Sequence, residues 1–195
     1  MKYYILIALL SFAFSACSLK PEAEAAPTII NLSPNLSSIK FKTNKSIKIA
    51  LPQSTFYLRS TKIAFIKNQE FGTYANHRFQ NSPNDLIFTL LSNNLEKAQL
   101  FKAVTNANFI KTDLLLESRI YAFEQIFEDD LSYVKIELGL NLIDLKAQSL
   151  IANKYFAYKI PLKQNDENAL ANAFEEALSL FLKDVLIWCK QSLEK

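Results

Sequence analysis

The chain has 195 residues, half of them apolar, with 22 Lys and Arg against 19 Asp and Glu, one His and two Gly. A formal charge of +3 without Lys/Arg clusters excludes nucleic acid as an expected partner, because phosphate binding depends on clustered cations. Gly72 and Gly139 stand too far apart to form a P-loop, a dinucleotide fingerprint or a GxSxG elbow.

At the N-terminus, Lys2 precedes an almost wholly apolar run from Tyr3 to Ala13, which ends in Phe14-Ser15-Ala16-Cys17-Ser18. A cation, an apolar run and small residues before a cysteine form a lipobox-like export signal. Residues 1–16 are expected to be cleaved and Cys17 to carry the acyl chains, palmitate among them. A membrane-spanning anchor is disfavoured, since it needs roughly 20 apolar residues and the 15 residues Tyr3 to Cys17 fall short. Ser18 after the cysteine, in place of Asp, points to the periplasmic face of the outer membrane rather than the inner one. Residues 17–27, SLKPEAEAAP behind the cysteine, are too polar and Ala-rich to fold alone and read as a flexible tether. Ten such residues reach about 33 to 36 Å when extended. Residues 28–195 then form one domain, whose order begins between Thr28 and Ile47.

Strand periodicity follows. Ile39 and Phe41, then Ile47, Ile49 and Leu51, alternate with Lys40, Lys42 and Lys48, and Pro52 closes the second run. Weaker strands are expected over Thr61–Lys67 and Tyr74–Phe79, with Gly72 in the loop between them. Ser82-Pro83 supplies an N-cap and an N1 proline, and Leu86, Ile87, Leu90, Leu91, Leu95 and Ala98 fall on one helical face. Three long strands, Asp113–Phe127, Tyr133–Asp144 and Leu150–Leu162, are linked by the polar turn Glu128-Asp129-Asp130 and by Lys146-Ala147-Gln148, which predicts an antiparallel meander. The apolar stripe Leu170, Ala173, Phe174, Ala177, Leu178, Phe181, Val185 and Trp188 predicts a helix over Asn168–Leu193. The expected fold is α+β: a mostly antiparallel sheet with two amphipathic helices packed on one face.

Little in the sequence points to a reaction. His77 has no second histidine to share a metal with, and Cys189, the only other cysteine, reads as a buried small hydrophobe beside Trp188. The acid pairs Asp129-Asp130 and Glu175-Glu176 read as solvated surface. The aromatic residues Tyr121, Phe123, Phe127, Tyr133, Tyr155, Phe156 and Tyr158 suit a half-buried pleated surface better than a ligand stripe. No enzyme activity, metal or other cofactor is expected.

The segments Ile49 to Pro52, Tyr57-Leu58-Arg59, Tyr74, Asn76-His77-Arg78-Phe79, Pro83, the amphipathic helix to Ala98, Leu100-Phe101 and Phe123-Glu124 resemble, in their order, the ABC-type transport auxiliary lipoproteins, the PqiC-like family, with Pro83 one residue later than is usual there. Phe79 stands where that family usually has Trp. The resemblance runs over roughly residues 47 to 190 and implies a non-catalytic periplasmic lipoprotein. It implies as partners a periplasmic MCE-domain protein with its ABC permease and ATPase, in a system moving lipid between inner and outer membranes. Arg59, His77 and Arg78 are the candidate partner contacts, with a local role fixing the loop before the first helix as the other reading of His77 and Arg78. Strand edges could also support a homo-oligomer. The alternative function is an outer-membrane assembly lipoprotein, either an LPS-export plug or a cell-wall synthase activator, because small lipidated α+β domains serve those roles too.

Overall fold

The computed structural model describes residues 26–129 and 131–194. Cys17 and most of the expected tether therefore lie outside the described residues. In chain order the elements are β1 (Thr28–Ile30), β2 (Ser46–Ile49), β3 (Gln53–Ser54), a short 3-10 helix (Phe56–Arg59), β4 (Lys62–Lys67) and β5 (Glu70–Phe79). Helix α1 (Pro83–Lys97), β6 (Ala103–Thr105), β7 (Leu114–Glu128), β8 (Leu131–Asp144), β9 (Ser149–Pro161) and α2 (Glu167–Leu193) complete the fold.

The two helices begin where their caps dictate. Ser82 Oγ accepts from the Asp85 amide at 3.2 Å with Pro83 at the first helical position, and Asp166 caps α2 by accepting from the Ala169 amide at 2.8 Å. With 27 residues, α2 is about 40 Å long. Its stripe of Phe174, Ala177, Leu178, Phe181, Leu182 and Val185 is fully buried. It packs on β8 and β9, while α1 packs on β2, β6 and the 3-10 helix and also touches α2. One core joins both helices to the inward residues Val134, Ile136, Leu138, Leu140 and Leu142 of β8, and among the described residues it runs from Ile30 to Cys189. Cys189 is fully buried as expected, and burial pushes its thiol up to about 12.

The meander β7-β8-β9 is antiparallel as predicted, with Leu116 opposite Leu142 and Leu138 opposite Phe156. The sheet as a whole is not mostly antiparallel. It is a curled, mixed half-barrel in which β2, β3 and β4 follow one another along the same edge of β7, all parallel to it. The physical reason is the crossover: between β4 and β7 the chain passes through β5 and α1, and a helix-containing return brings a strand back parallel. Beyond β4 lie β5, antiparallel, and β1, parallel to β5, while β6 pairs parallel with β2.

Two smaller expectations also fail. Ile39 and Phe41 do not form a strand; they pack partly buried against the core from an extended connection between β1 and β2. That segment takes its hydrogen bonds from the helices instead of a sheet. The amides of Ser33, Asn35 and Ser37 donate to Glu175 Oε1 (2.7 Å), Ser179 Oγ (3.0 Å) and Asn94 Oδ1 (2.9 Å). Glu175 is therefore a tie between connection and helix, while Glu176 is solvated as expected. Gly72 sits inside β5, not in a loop, and the turn falls at Asn68 and Gln69, both with positive φ. The Phe65 ring lies over Gly72 so closely that a Cβ there would come within 2.4 Å of it, so the missing side chain makes room for the cross-strand ring.

Candidate functional site

His77 and Arg78 lie on β5 just before α1, and both are engaged locally. The Arg78 guanidinium donates to the carbonyls of Tyr74 (2.5 Å) and His77 (2.8 Å). His77 Nε2 is 3.3 Å from Glu167 Oε2 at the start of α2, and its ring meets Tyr74 edge to face at 5.8 Å. The Tyr74 hydroxyl donates to the buried Gln125 Oε1 at 2.5 Å, and Gln125 Nε2 reaches Asn165 at 3.2 Å. This chain of contacts ties β5, β7 and the entry to α2 together. Arg59 stands apart on the 3-10 helix, donating to the Ser54 carbonyl at 3.2 Å, and among the described residues no hydrogen bond or ion pair joins it to His77 or Arg78.

The outward face of the meander carries a second constellation, which the sequence reading treated only as pleated surface. A β-bulge between Ile120 and Ala122 displaces Tyr121 from the alternation of β7. Bulges re-aim side chains in this way, and the Tyr121 ring lies across Gly139 of β8, where a Cβ would meet it at 3.1 Å. Tyr155, paired with Gly139 from β9, stands beside it with ring centroids 5.5 Å apart. With Gln53, Glu117, Arg119, Asn141, Asn153 and Lys154 these two rings bound an open groove of about 420 Å³. Arg119 donates to Gln53 Oε1 at 2.6 Å across its rim. Of the aromatic residues on the meander, Phe123 and Phe156 are core, whereas Tyr121 and Tyr155 are half-exposed.

Next to this groove Glu124 is buried, at 5% exposure, with Oε2 accepting from the Tyr57 hydroxyl at 2.9 Å. Burial holds its carboxyl above the usual range, against the opposing pull of the Tyr57 hydrogen bond and of Lys135. Burial and the same carboxylate push the Tyr57 phenol well above its ordinary value. Lys135 Nζ forms an ion pair at 2.9 Å with Glu137, whose charge also bears on Glu124. The arrangement offers amides, charges and ring faces to a ligand and, among the described residues, holds no assembled catalytic pair. Among the described residues no group of three or more His, Cys, Asp and Glu is placed to hold a metal ion. In the sequence, Tyr57 and Phe123-Glu124 stand out only as segments of the family resemblance.

A raised pKa for Glu124 in the folded protein means that the fold binds this proton more tightly than the unfolded chain does. Stability from this group is therefore lost as pH rises through the folded value and regained as pH falls. Glu124→Gln keeps an acceptor for Tyr57 and removes the buried charge, so it is expected to raise the melting temperature at pH 7. The gain should shrink towards pH 4 in melting curves taken across that range.

No family model and no curated relative matches the sequence. Solved structures do match in fold. Protein XCC0632 from Xanthomonas campestris, of the DUF330 family, is 20% identical, with a TM-score of 0.77 over 86% of this chain and 100% of its own. An uncharacterized protein is 10% identical, with a TM-score of 0.67 over 84% and 99%. A PelC dodecamer from Paraburkholderia phytofirmans is 9% identical, with a TM-score of 0.46 over 75% and 92%. The chain therefore has the fold of a DUF330 protein, the domain of the PqiC-like family that its motifs resemble. Among the described residues no helix is long and apolar enough to cross a membrane.

Proposed function

We propose that this protein is the lipid-anchored, non-catalytic auxiliary component of an MCE-type ABC transport system that moves lipid between the inner and outer membranes. Cys17 carries the anchor, and the domain stands on the periplasmic face of the outer membrane. The observation that supports this best is the match in fold to the DUF330 protein along nearly the whole described chain, joined to the motif resemblance and the lipobox. Fold alone does not assign function, so the reading stands on that conjunction. An anchor of several acyl chains holds such a domain at one leaflet, since each buried CH₂ contributes about 0.8 kcal/mol.

The protein is expected to bind the MCE-domain protein encoded beside it in a pull-down from detergent-solubilised membranes. Arg78→Ala separates the two readings of that residue. Loss of capture at unchanged melting temperature assigns Arg78 to the interface, and a lowered melting temperature assigns it to the β5 connections described above. Failure of the wild-type protein to capture its MCE partner, with stable capture of an outer-membrane barrel or a cell-wall synthase, would establish the alternative.

A further inference from the structure

We propose that one end of the sheet, built from the loop between β6 and β7 and the turn between β8 and β9, is a contact surface for an anionic lipid bilayer. Phe109 at the tip of the first loop is 89% exposed, and Ile110 beside it is 46% exposed. Leu145 in the β8–β9 turn, 39% exposed, belongs to the same end of the sheet, since its amide donates to the carbonyl of Asp113, where the first loop enters β7, at 3.0 Å. A phenyl ring with almost its whole surface in water adds nothing to folding, and a group of such residues at one end of a domain marks an interaction site.

The charges around it select the partner. Lys111 follows Ile110 directly, and Lys146 follows Leu145. Lys102 belongs to the same end, since its amide donates to the Lys45 carbonyl at 3.0 Å and Lys45 precedes β2. The acids that face this group are Glu96, which shares a hollow with Lys42 and Lys102, and Asp113 and Asp144, which are both engaged within the fold. Asp113 Oδ2 accepts from the amide and hydroxyl of Ser46, each at 2.7 Å. Asp144 accepts from Lys45 Nζ at 3.3 Å and from the amides of Lys146 and Ala147 at 2.9 Å. Five lysines therefore oppose three carboxylates, with Lys102, Lys111 and Lys146 free of ion pairs among the described residues.

Aromatic and aliphatic tips ringed by lysines suit a bilayer of anionic lipid: the apolar tips enter the headgroup boundary while the ammonium groups remain among the phosphates. A protein partner with a matched pocket would demand shape, whereas this surface offers a protruding ring and mobile cations. The contact is independent of the transport reading and of the anchor, and it would set the orientation of the domain on its membrane.

A chain of residues 26–195, which holds the continuous core of the described residues and is free of any acyl group, tests the surface by flotation with vesicles. It should float with vesicles of equal parts phosphatidylcholine and phosphatidylglycerol and remain largely behind with phosphatidylcholine alone. Phe109→Ala should weaken binding about tenfold, as expected for losing one buried phenyl group. Lys111→Glu should weaken it about fivefold or more, the effect of one surface cation or more. Phe56→Ala is the control: that ring is 87% exposed beside β3, away from this end, and its loss should change nothing. Phe109 has so little contact with the core that its replacement leaves the fold intact. Absence of flotation with the mixed vesicles, or flotation undiminished in Phe109→Ala, overturns the proposal. So does a dimer in solution that Phe109→Ala abolishes, which would assign the surface to self-association.

Discussion

Phe174→Ala should produce the largest loss of stability of any single change in α2. Phe174 is fully buried and closes a three-ring cluster, stacked on Phe123 at 4.8 Å and meeting Phe79 edge to face at 5.2 Å. Phe79 and Phe123 themselves meet at 5.5 Å, so the cluster joins β5, β7 and α2. Truncating a packed phenylalanine costs about 3 to 5 kcal/mol, because the cavity left behind adds to the lost transfer energy. For a chain of this size each kcal/mol lowers the melting temperature by about 2 to 4 °C, so a drop on the order of 10 °C is expected by calorimetry. Glu176→Ala, two residues along and on the solvent side, should leave the transition within about a degree. Equal small shifts in both would mean that α2 can leave the sheet without unfolding it.

That α2 covers the sheet was legible in the sequence because its stripe from Leu170 to Trp188 repeats at helical spacing for about five turns and has no competing reading. The long strands were legible for the same reason: Val134, Ile136, Leu138, Leu140 and Leu142 alternate without interruption and are all buried. Topology was not legible. Short turns link β7, β8 and β9 and fix their antiparallel order, but nothing local tells β2, β3 and β4 that they will share one edge of β7. Parallel pairing is decided by a crossover of dozens of residues, and β3 is a two-residue strand that carries no period at all. Ile39 and Phe41 mislead because an extended segment strapped across helices buries every second side chain just as a strand does. Asn94 and Glu175 supply the hydrogen bonds that a neighbouring strand would have given.

The site was legible in part. His77 and Arg78 were singled out, and the structure places them in a network that binds β5 to the start of α2. Arg59 was singled out with them and sits elsewhere. The groove below Tyr121 could not be foreseen, because it depends on a bulge that shifts one residue out of register and on a glycine opposite it. A tyrosine in an alternating strand gives no sign of whether it will fall on the core face or the other one. Similarly, Phe109 and Ile110 read as ordinary loop residues, and only the hydrogen bond from Leu145 to Asp113 shows that two loops and their lysines meet at one end.

Asn94→Leu should cost nearly as much as the loss of a core phenylalanine, although it adds apolar surface to an apolar surrounding. Asn94 is fully buried on α1, and its amide works in two directions: Nδ2 donates to the Leu182 carbonyl of α2 at 3.0 Å, and Oδ1 accepts from the Ser37 amide at 2.9 Å. Leucine of similar volume leaves the part-buried Ser37 amide without its partner, at about 1 to 3 kcal/mol, and removes the only side-chain bond between the two helices among the described residues. A total loss of about 2 to 4 kcal/mol is expected, read as a lower urea midpoint with faster amide exchange at Ser37. Asn94→Asp tests the direction of the bond. A carboxylate there would still accept from Ser37 but would face the Leu182 carbonyl with no proton to give. The buried acid would therefore have a folded pKa above its unfolded value, and its cost, largest at neutral pH, should diminish as the pH falls through that value and the carboxyl gains a proton to donate. A loss for Asn94→Asp that does not vary with pH would show that the interaction with Leu182 contributes nothing to holding the helices together.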